Sequence, residues 1–289
     1  WHKVIEQFHR LTGRISSSTT NVNSLPKNSY AYKWAKSSSK AKRRNVLKFN
    51  GGLYYNPAKS DVRNLITKGV KEIVTNYNVD GIHFDDYFYP NLGSKYRKNF
   101  DRTEYNSYVR NRKKNNRKYY GIVNWRRQNV DLLISNVYKT VKSTKKKVKF
   151  GISPAGNIDN LYLSWSYYCD VKKWMNSNKY IDYICPQIYW TFTNKTRPFK
   201  KTCLRWAKLP RNKNVKLYIG LAGYRAGLSK SQAKAVSDIG WSKSNTILKR
   251  EVLYGRSTKK VSGYVLFSYA DLSRKAASKE IANLKKIFK

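Results

Sequence analysis

Five short apolar segments, separated by helical patterns, constrain the fold of this chain most strongly. They span residues 79–88, 148–153, 181–189, 215–222 and 263–269. Each is rich in β-branched or aromatic residues and bounded by Gly, Pro, Asn or Lys, which predicts a strand. Residues 2–11 are a candidate for a sixth strand.

Amphipathic helices are predicted between the strands. The first follows a cap at Asn56 and a proline at Pro57, and its apolar face consists of Val62, Leu65, Ile66, Val70, Ile73 and Tyr77. The second, which Asn124 could cap, presents Val130, Leu133, Ile134, Val137 and Val141, and a last helix follows Ser273. This alternation predicts an α/β fold, with a parallel sheet covered by helices. The long polar segments 12–49 and 90–120 are expected to be functional loops, with ordinary surface insertions as the alternative.

The charge of the chain predicts attraction to polyanions. Sixty Lys and Arg oppose 16 Asp and Glu, a net charge of +44, and basic clusters recur at residues 40–44, 110–114 and 142–147. Nucleic acid, anionic membranes and anionic cell-wall polymers all fit, and composition does not choose among them. No apolar run approaches the roughly 20 residues of a membrane span, which is therefore excluded.

A metal or cofactor site is not expected. The three Cys and three His lack CxxC, HxH and HExxH spacings. Cys185 lies inside a predicted strand, where a small buried side chain is the expected role.

Two adjacent acids, Asp85 and Asp86, are the strongest candidates for chemistry. They end the apolar strand GIHF, where a purely structural element would avoid their desolvation and like-charge cost. A turn cap is the alternative. Strand alternation places His83, Asp85 and Tyr87 on one side, and Ile82, Phe84 and Asp86 on the other. A partner carboxylate is expected from elsewhere, with Asp101, Glu104, Asp159 and Asp271 as candidates.

Six further acids are interpreted as structural. Glu72, Asp131, Glu251 and Glu280 fall in helical stretches with Lys or Arg nearby, which predicts surface ion pairs. Asp80 and Asp182 lie at the beginnings of strands. In a βα barrel, residues at that end of the strands contribute to stability rather than to catalysis.

Aromatic and amide groups at other strand ends suit sugar rings, which stack on aromatic faces and hydrogen-bond through their hydroxyls. Gln187, Tyr189 and Trp190 end one predicted strand, and Tyr269 ends the last. Packing is the alternative for Tyr189 and Trp190. The full set of predicted substrate-binding residues is His83, Tyr87, Asn124, Gln187, Tyr189, Trp190 and Tyr269.

Five segments resemble the bacterial glycosyl hydrolase-like 10 barrels. They are YNVDGIHFDDYFYP at 77–90, WRR at 125–127 with Asn129-Val130, KFGISP at 149–154, IDYI at 181–184 with PQIYW at 186–190, and GYVLFSY at 263–269. The resemblance implies an exported (β/α)8 TIM-type barrel that hydrolyses bacterial cell-wall glycan, with Asp85 and Asp86 in its active site. The first segment is also distantly similar to the DGIDxDxEYP run of chitinase-type barrels. Their catalytic Glu falls at Tyr87, so that mechanism is not carried over.

The resemblance further implies that two strand-and-helix units would precede residue 1. We therefore expect residues 1–289 to form a single barrel domain with about six of eight units. The first residues predict no signal peptide, and without an initiator Met the sequence is interpreted as a processed or truncated piece. The high net positive charge is not a trait of the family, and it is interpreted as an addition suited to an anionic cell wall.

The leading prediction is an extracellular or wall-associated glycoside hydrolase acting on an N-acetylated cell-wall glycan. Asp86 would be the general acid/base and Asp85 would stabilise an oxocarbenium-like transition state, with exchanged roles as a variant. A non-catalytic wall-glycan-binding barrel is the second hypothesis. The third is a nucleic-acid binder, which rests on charge alone because no RNA- or DNA-binding motif is present.

Overall fold

The computed structural model describes residues 14–16 and 19–288, so the strand predicted at residues 2–11 lies outside the described residues. The chain divides into two compact units. The first contains the described residues up to 150, together with Asp159–Trp174 and Lys179–Ile181. The second contains Gly151–Ile158, Met175–Asn178 and the described residues from Asp182 onward.

Short strands and helices alternate along the described chain. The strands are β1 (Arg14–Ser16), β2 (Val46–Phe49), β3 (Gly52–Tyr55), β4 (Gly81–Asp85), β5 (Lys149–Ser153), β6 (Tyr183–Ile184), β7 (Lys216–Leu221) and β8 (Gly263–Leu266). The α-helices are α1 (Tyr30–Ala35), α2 (Lys40–Arg43), α3 (Ser60–Asn76), α4 (Arg102–Lys114), α5 (Ile122–Thr144), α6 (Ile158–Leu161), α7 (Val171–Met175), α8 (Phe199–Ala207), α9 (Lys230–Ala235), α10 (Ile247–Ser257), α11 (Tyr269–Leu272) and α12 (Ser278–Lys285). Single 3-10 turns cover Val22–Ser24, Gly223–Arg225, Ile239–Ser242 and Lys275–Ala277.

The five predicted strands are present as β4 to β8 and form one sheet in the order β4-β5-β6-β7-β8. Pairing is parallel from β5 through β8. Parallel strands must be joined by crossovers, and helices supply them here, as in α/β proteins generally. The predicted α/β class is therefore confirmed, whereas the number of strand-and-helix units remains a prediction.

The strand predicted at 181–189 is much shorter, because β6 ends at Ile184. Pro186 has no N–H to donate, which interrupts regular pairing. Gln187 nevertheless forms isolated parallel bridges with Ala155 and with Gly220. The peptide group of Gln187 is thus held at the carboxyl end of this part of the sheet.

The core of the first unit lies between α3 and α5, which pack against each other. Val62, Ile66, Val70 and Ile73 of α3 are buried, as are the predicted apolar residues of α5, Val130, Leu133, Ile134, Val137 and Val141. Tyr77 was predicted on the apolar face of α3, but it follows the end of the helix and is 50% exposed. Val74 is buried in its place.

Both predicted helix caps are wrong. Helix α3 begins at Ser60, and the Asn56 side chain instead accepts a hydrogen bond from the Ala58 N–H at 3.1 Å, in the turn before the helix. Helix α5 begins at Ile122 after an N-cap at Gly121, so Asn124 lies inside its first turn. Asn, Pro and Gly favour turns as well as caps, and the pattern alone did not separate the two roles.

The two long segments predicted as loops contain regular structure. Residues 12–49 include α1, α2 and β2, and residues 90–120 include α4. The antiparallel sheet β1-β3-β2 was not predicted. Its β2–β3 hairpin turns at Asn50 and Gly51, whose positive φ angles of 40° and 75° suit this pair of residues.

Candidate active site

Strand β4 ends at Asp85, and Asp86 is the first residue after it. Ile82 and Phe84 are buried, whereas His83 is exposed and Asp85 is partly exposed, so the expected alternation of faces is present. Asp86 is only 3% exposed, and Tyr87 beyond it is 54% exposed. Of the two aspartates, Asp85 is therefore the more accessible to a ligand.

Asp86 lies near a buried thiol. Cys169 is fully buried, and burial raises the pKa of its thiol well above the ordinary value. The negative charges of Asp86, Asp131 and Asp170 raise this pKa further, while Arg127 lowers it. Asp86 therefore contributes, with Asp131 and Asp170, to the negative electrostatic environment of this buried thiol.

The segment after Asp86 is anchored by a buried ion pair. The Arg126 guanidinium of α5 donates to Asp101 Oδ1 from Nε at 2.9 Å and from Nη2 at 2.6 Å, and both side chains are fully buried. Tyr89 donates its hydroxyl to Asp101 Oδ2 at 3.0 Å. Asp101 keeps the pKa of Arg126 above its usual value although burial opposes this. Burial also raises the pKa of Tyr89 well above its usual value.

The same guanidinium reaches a second segment of the first unit. Arg126 Nη1 donates to the Tyr168 hydroxyl at 2.9 Å, and that hydroxyl donates to the Ser164 carbonyl at 2.8 Å. Arg126 Nη2 also donates to the Asn99 carbonyl at 3.1 Å. One side chain of α5 therefore fixes two segments of the first unit, residues 99–101 and 164–168.

Three of the four candidate partner carboxylates are engaged in structural contacts. Asp101 belongs to the buried pair just described, Glu104 binds Arg44 through both oxygens, and Asp271 accepts from the Ser268 hydroxyl at 2.6 Å. Asp159 is exposed in the first turn of α6. A partner role for Asp159 remains a prediction.

The interpretation of Asp131, Glu251 and Glu280 as surface acids is wrong, because all three are buried. Asp131 accepts from Lys173 Nζ at 2.6 Å and from Trp174 Nε1 at 2.7 Å. Glu280 accepts from the Leu248 N–H at 2.7 Å, at the start of α10. Neighbouring lysines in the sequence cannot reveal such burial, because it depends on distant elements. Glu72 is exposed, as expected.

In the second unit, Gln187 is held by β5. Its Nε2 donates to the Ser153 carbonyl at 3.0 Å, and its N–H donates to the Pro154 carbonyl at 2.9 Å. The Arg197 guanidinium lies 5.4 Å from the ring centroid of Trp190 and covers one face of the indole. Both side chains are partly exposed.

Three aromatic rings gather beyond β6, β7 and β8. The Tyr189 centroid lies 5.6 Å from that of Tyr224 and 6.4 Å from that of Phe267, whose ring is nearly parallel at 18°. Phe267 is 53% exposed and the predicted Tyr269 is 79% exposed, which leaves apolar surface for a ligand. Sequence reasoning missed Tyr224 and Phe267 as site candidates. Their positions at or just after predicted strand ends were the available signal.

Asn124, the remaining predicted substrate-binding residue, is exposed on α5, and its Oδ1 accepts from Arg127 Nη1 at 3.1 Å. Arg127 also donates to the Tyr162 carbonyl at 2.8 Å. The structure therefore groups His83, Asp85, Asp86, Tyr87 and Asn124 within the first unit, and Gln187, Tyr189, Trp190 and Tyr269 within the second.

Within residues 14–16 and 19–288, no group of three or more His, Cys, Asp and Glu side chains is arranged to hold a metal ion. None of the helices described there is both long and apolar enough to cross a membrane.

Paired aspartates lie at the end of one strand of this α/β chain, and exposed aromatic rings follow others. Comparison with known proteins gives the family. The chain belongs to the glycosyl hydrolase-like 10 family, which matches residues 3–238. This confirms the resemblance found in the sequence.

Two relatives illustrate the similarity. Glycosyl hydrolase YngK of Bacillus subtilis is 30% identical over 299 residues, covering 94% of this chain and 52% of the relative. Glycosyl hydrolase DigH of Escherichia coli K12 is 31% identical over 246 residues, covering 79% of this chain and 52% of the relative. The chain thus spans about half the length of the curated relatives it matches.

Among solved structures, the glycoside hydrolase domain of PgaB (BpsB) from Bordetella bronchiseptica is similar, with a TM-score of 0.47 and 12% identity. The match covers 90% of this chain and 72% of that one.

Proposed function

We propose that this protein is an extracellular or wall-associated glycoside hydrolase that cleaves an N-acetylated bacterial cell-wall glycan. The main observation that supports this proposal is the position of Asp85 and Asp86 at the carboxyl end of β4, in a chain of the glycosyl hydrolase-like 10 family. In (β/α)8 barrels, the fold we propose for the complete domain, catalytic groups lie at this end of the strands.

In the proposed mechanism, Asp86 donates a proton to the glycosidic oxygen and Asp85 stabilises the positive charge that develops on the sugar ring. The greater exposure of Asp85 suits direct contact with the sugar. In the alternative form of this mechanism the two roles are exchanged: Asp85 donates the proton and Asp86 stabilises the charge.

The remaining predicted residues would bind the glycan. Tyr87 offers an exposed ring beside the aspartates, and Tyr189 and Tyr269 offer rings in the second unit. Aromatic faces stack on the apolar faces of sugar rings, and the amide of Gln187 and the imidazole of His83 provide hydrogen-bonding groups. No cofactor is part of this proposal.

The proposal predicts that D85N and D86N each lower the rate of glycan cleavage by about 100-fold or more, because each removes an ionisable carboxyl. The measurement is the release of reducing ends from purified cell-wall glycan and from soluble N-acetylated oligosaccharides. The matched control is D80N, the same substitution at the opposite end of β4, where Asp80 is exposed.

Wild-type rates in both D85N and D86N would reject this site. A pH profile that loses its acidic limb in one variant and its basic limb in the other would assign the two roles.

A non-catalytic glycan-binding protein is the second candidate, and the 3% exposure of Asp86 favours it, because a general acid must reach the glycosidic oxygen. Under this alternative the chain sediments with cell walls yet releases no reducing ends. Binding would then weaken in Y189A and Y269A, while D86N would bind as the wild type does.

A further inference from the structure

The second unit contains a basic cleft of about 700 Å³ at the start of β7 and β8. We call it the basic cleft; its lining residues are Leu204, Ala207–Lys213 and Thr258–Lys260. Its walls are the ends of α8 and α10 and the segments that lead from them into the two strands. The aromatic rings of the candidate site lie beyond the opposite ends of these strands.

Five cationic side chains line the basic cleft: Lys208, Arg211, Lys213, Lys259 and Lys260. Among its described lining residues none is acidic. Arg211 Nη2 donates to the Lys260 carbonyl at 2.6 Å and so joins the two walls. The four lysines are exposed, which leaves their ammonium groups available to a ligand.

The simplest explanation of these cations is compensation of helix dipoles, since α8 and α10 both end here. The carboxyl end of a helix carries about half a negative charge, so two ends account for about one cation. About four positive charges remain uncompensated in one concave surface. No carboxylate among the described lining residues offsets this charge, so the surface attracts anions.

A cavity in the first unit provides a contrast. It has a volume of about 490 Å³ and is lined by Lys40, Arg43, Arg44 and Lys48 with three apolar residues. There the Arg44 guanidinium binds both oxygens of Glu104, at 2.8 and 2.7 Å, which neutralises one charge. The basic cleft has no such carboxylate among its described lining residues, and it is the stronger anion site.

The chemistry of the lining also indicates the kind of polyanion. Single-stranded nucleic acids are held largely by stacking of bases on aromatic side chains. No aromatic residue is among the described residues that line the basic cleft. Because its described lining offers no ring on which a base could stack, the cleft favours a polyanion without bases.

We propose that the basic cleft binds a phosphodiester-linked polyol polymer of the bacterial wall. The choice of a wall polymer rests on the proposed function, whereas the preference for a non-aromatic polyanion rests on the cleft itself. Binding there would hold the chain near its substrate while leaving the aromatic rings of the second unit open.

The test compares two variants of equal charge. In the first, Lys208, Lys213, Lys259 and Lys260 of the basic cleft are all replaced by Gln, while Arg211 is kept because it joins the walls. The matched control carries Lys68→Gln, Lys71→Gln, Lys146→Gln and Lys147→Gln, four exposed lysines of the first unit that line neither cavity. Both variants lose four positive charges.

The probes are labelled poly(glycerol phosphate) and oligodeoxythymidine, each of about ten phosphates, and affinity is followed by fluorescence anisotropy over a range of salt. We expect the cleft variant to bind poly(glycerol phosphate) at least about tenfold more weakly, with a shallower salt slope by up to about 3. The control should lose less than about threefold, since only long-range attraction is reduced.

Equal weakening in both variants would overturn the proposal, because the charge of the whole molecule would then explain binding. Tighter binding of oligodeoxythymidine than of poly(glycerol phosphate), lost in the cleft variant alone, would assign the basic cleft to nucleic acid instead. Hydrolysis of soluble N-acetylated oligosaccharides, which carry no anionic polymer, is measured separately in the wild type. Its absence would contradict the proposed function without affecting the binding result.

Discussion

At the scale of single residues, Glu251 is the most unusual side chain of the second unit. It is fully buried in α10, and neither carboxylate oxygen has a hydrogen-bond partner within the described residues. Burial raises its pKa well above the ordinary value, and the charges of Glu280 and Asp238 raise it further, while Arg250 lowers it. The folded protein therefore retains a proton that the unfolded chain releases.

This burial predicts a pH-dependent effect of E251Q. A raised pKa in the folded state stabilises the protein fully below the unfolded value of about 4.3, and this contribution is lost as the pH rises toward the folded value. Glutamine does not titrate. The free energy of unfolding of wild type should therefore fall relative to that of E251Q as the pH rises above about 4.

Urea denaturation at several pH values measures this difference, with E72Q at the exposed Glu72 as the control. A difference between wild type and E251Q that stays constant with pH would contradict the prediction.

At the scale of secondary-structure elements, the turn after β5 depends on a glycine. A Cβ on Gly156 would lie 2.2 Å from the Gln187 carbonyl oxygen and 2.9 Å from the Trp190 ring. The Gly156 carbonyl also accepts from Trp206 Nε1 at 2.7 Å. This close approach packs the turn after β5 against the segment that carries both Gln187 and Trp190.

We expect G156A to lower the free energy of unfolding by about 3 kcal/mol, because the backbone of Gln187 must move to admit the methyl group. Chemical denaturation measures the loss. G121A is the control, since a Cβ there meets no atom within 4 Å and the change affects only a helix cap, worth less than about 1 kcal/mol. Equal losses in both variants would show that the contact at Gly156 is unimportant.

Elements were predicted best where an apolar run also has the length expected of a strand. Strands β4, β5, β7 and β8 were found because each is a short apolar run bounded by turn residues. Helix α4 was missed because its residues are almost all polar and none is buried, so it has no apolar stripe to detect. The β2–β3 hairpin was missed although Asn50-Gly51 is a strong turn signal.

The candidate site was predictable only in part. Asp85 and Asp86 were recognised because charged residues at the end of an apolar strand require an explanation. The buried roles of Asp101 and Asp131 were not, because their partners, Arg126 and Trp174, are 25 and 43 residues away. Ion pairs between distant elements leave no local pattern in a sequence.

At the scale of the whole molecule, the net charge of +44 sets long-range behaviour. Such a charge attracts polyanions over a distance that salt shortens, from about 10 Å at 0.1 M to about 3 Å at 1 M. Attraction of this kind requires no particular site, and it adds to any binding in the basic cleft.

Association with isolated cell walls should therefore be strong at about 0.1 M salt and largely lost at about 1 M. Co-sedimentation with walls over this range is the measurement. Walls stripped of anionic polymers are the control, and they should retain little protein at any salt concentration. Retention that does not change with salt would indicate that sugar contacts, rather than charge, dominate wall binding.

The fully buried pair of Arg126 and Asp101 has a consequence for how a ligand is received. Displacing the segment that carries Asp101 would leave an arginine charge unpaired in the interior, at a cost of about 3–5 kcal/mol. That segment is thus poorly suited to serve as a moving lid over the aspartates. A glycan would meet a surface that is already assembled, and little of its binding energy would be diverted into ordering the protein.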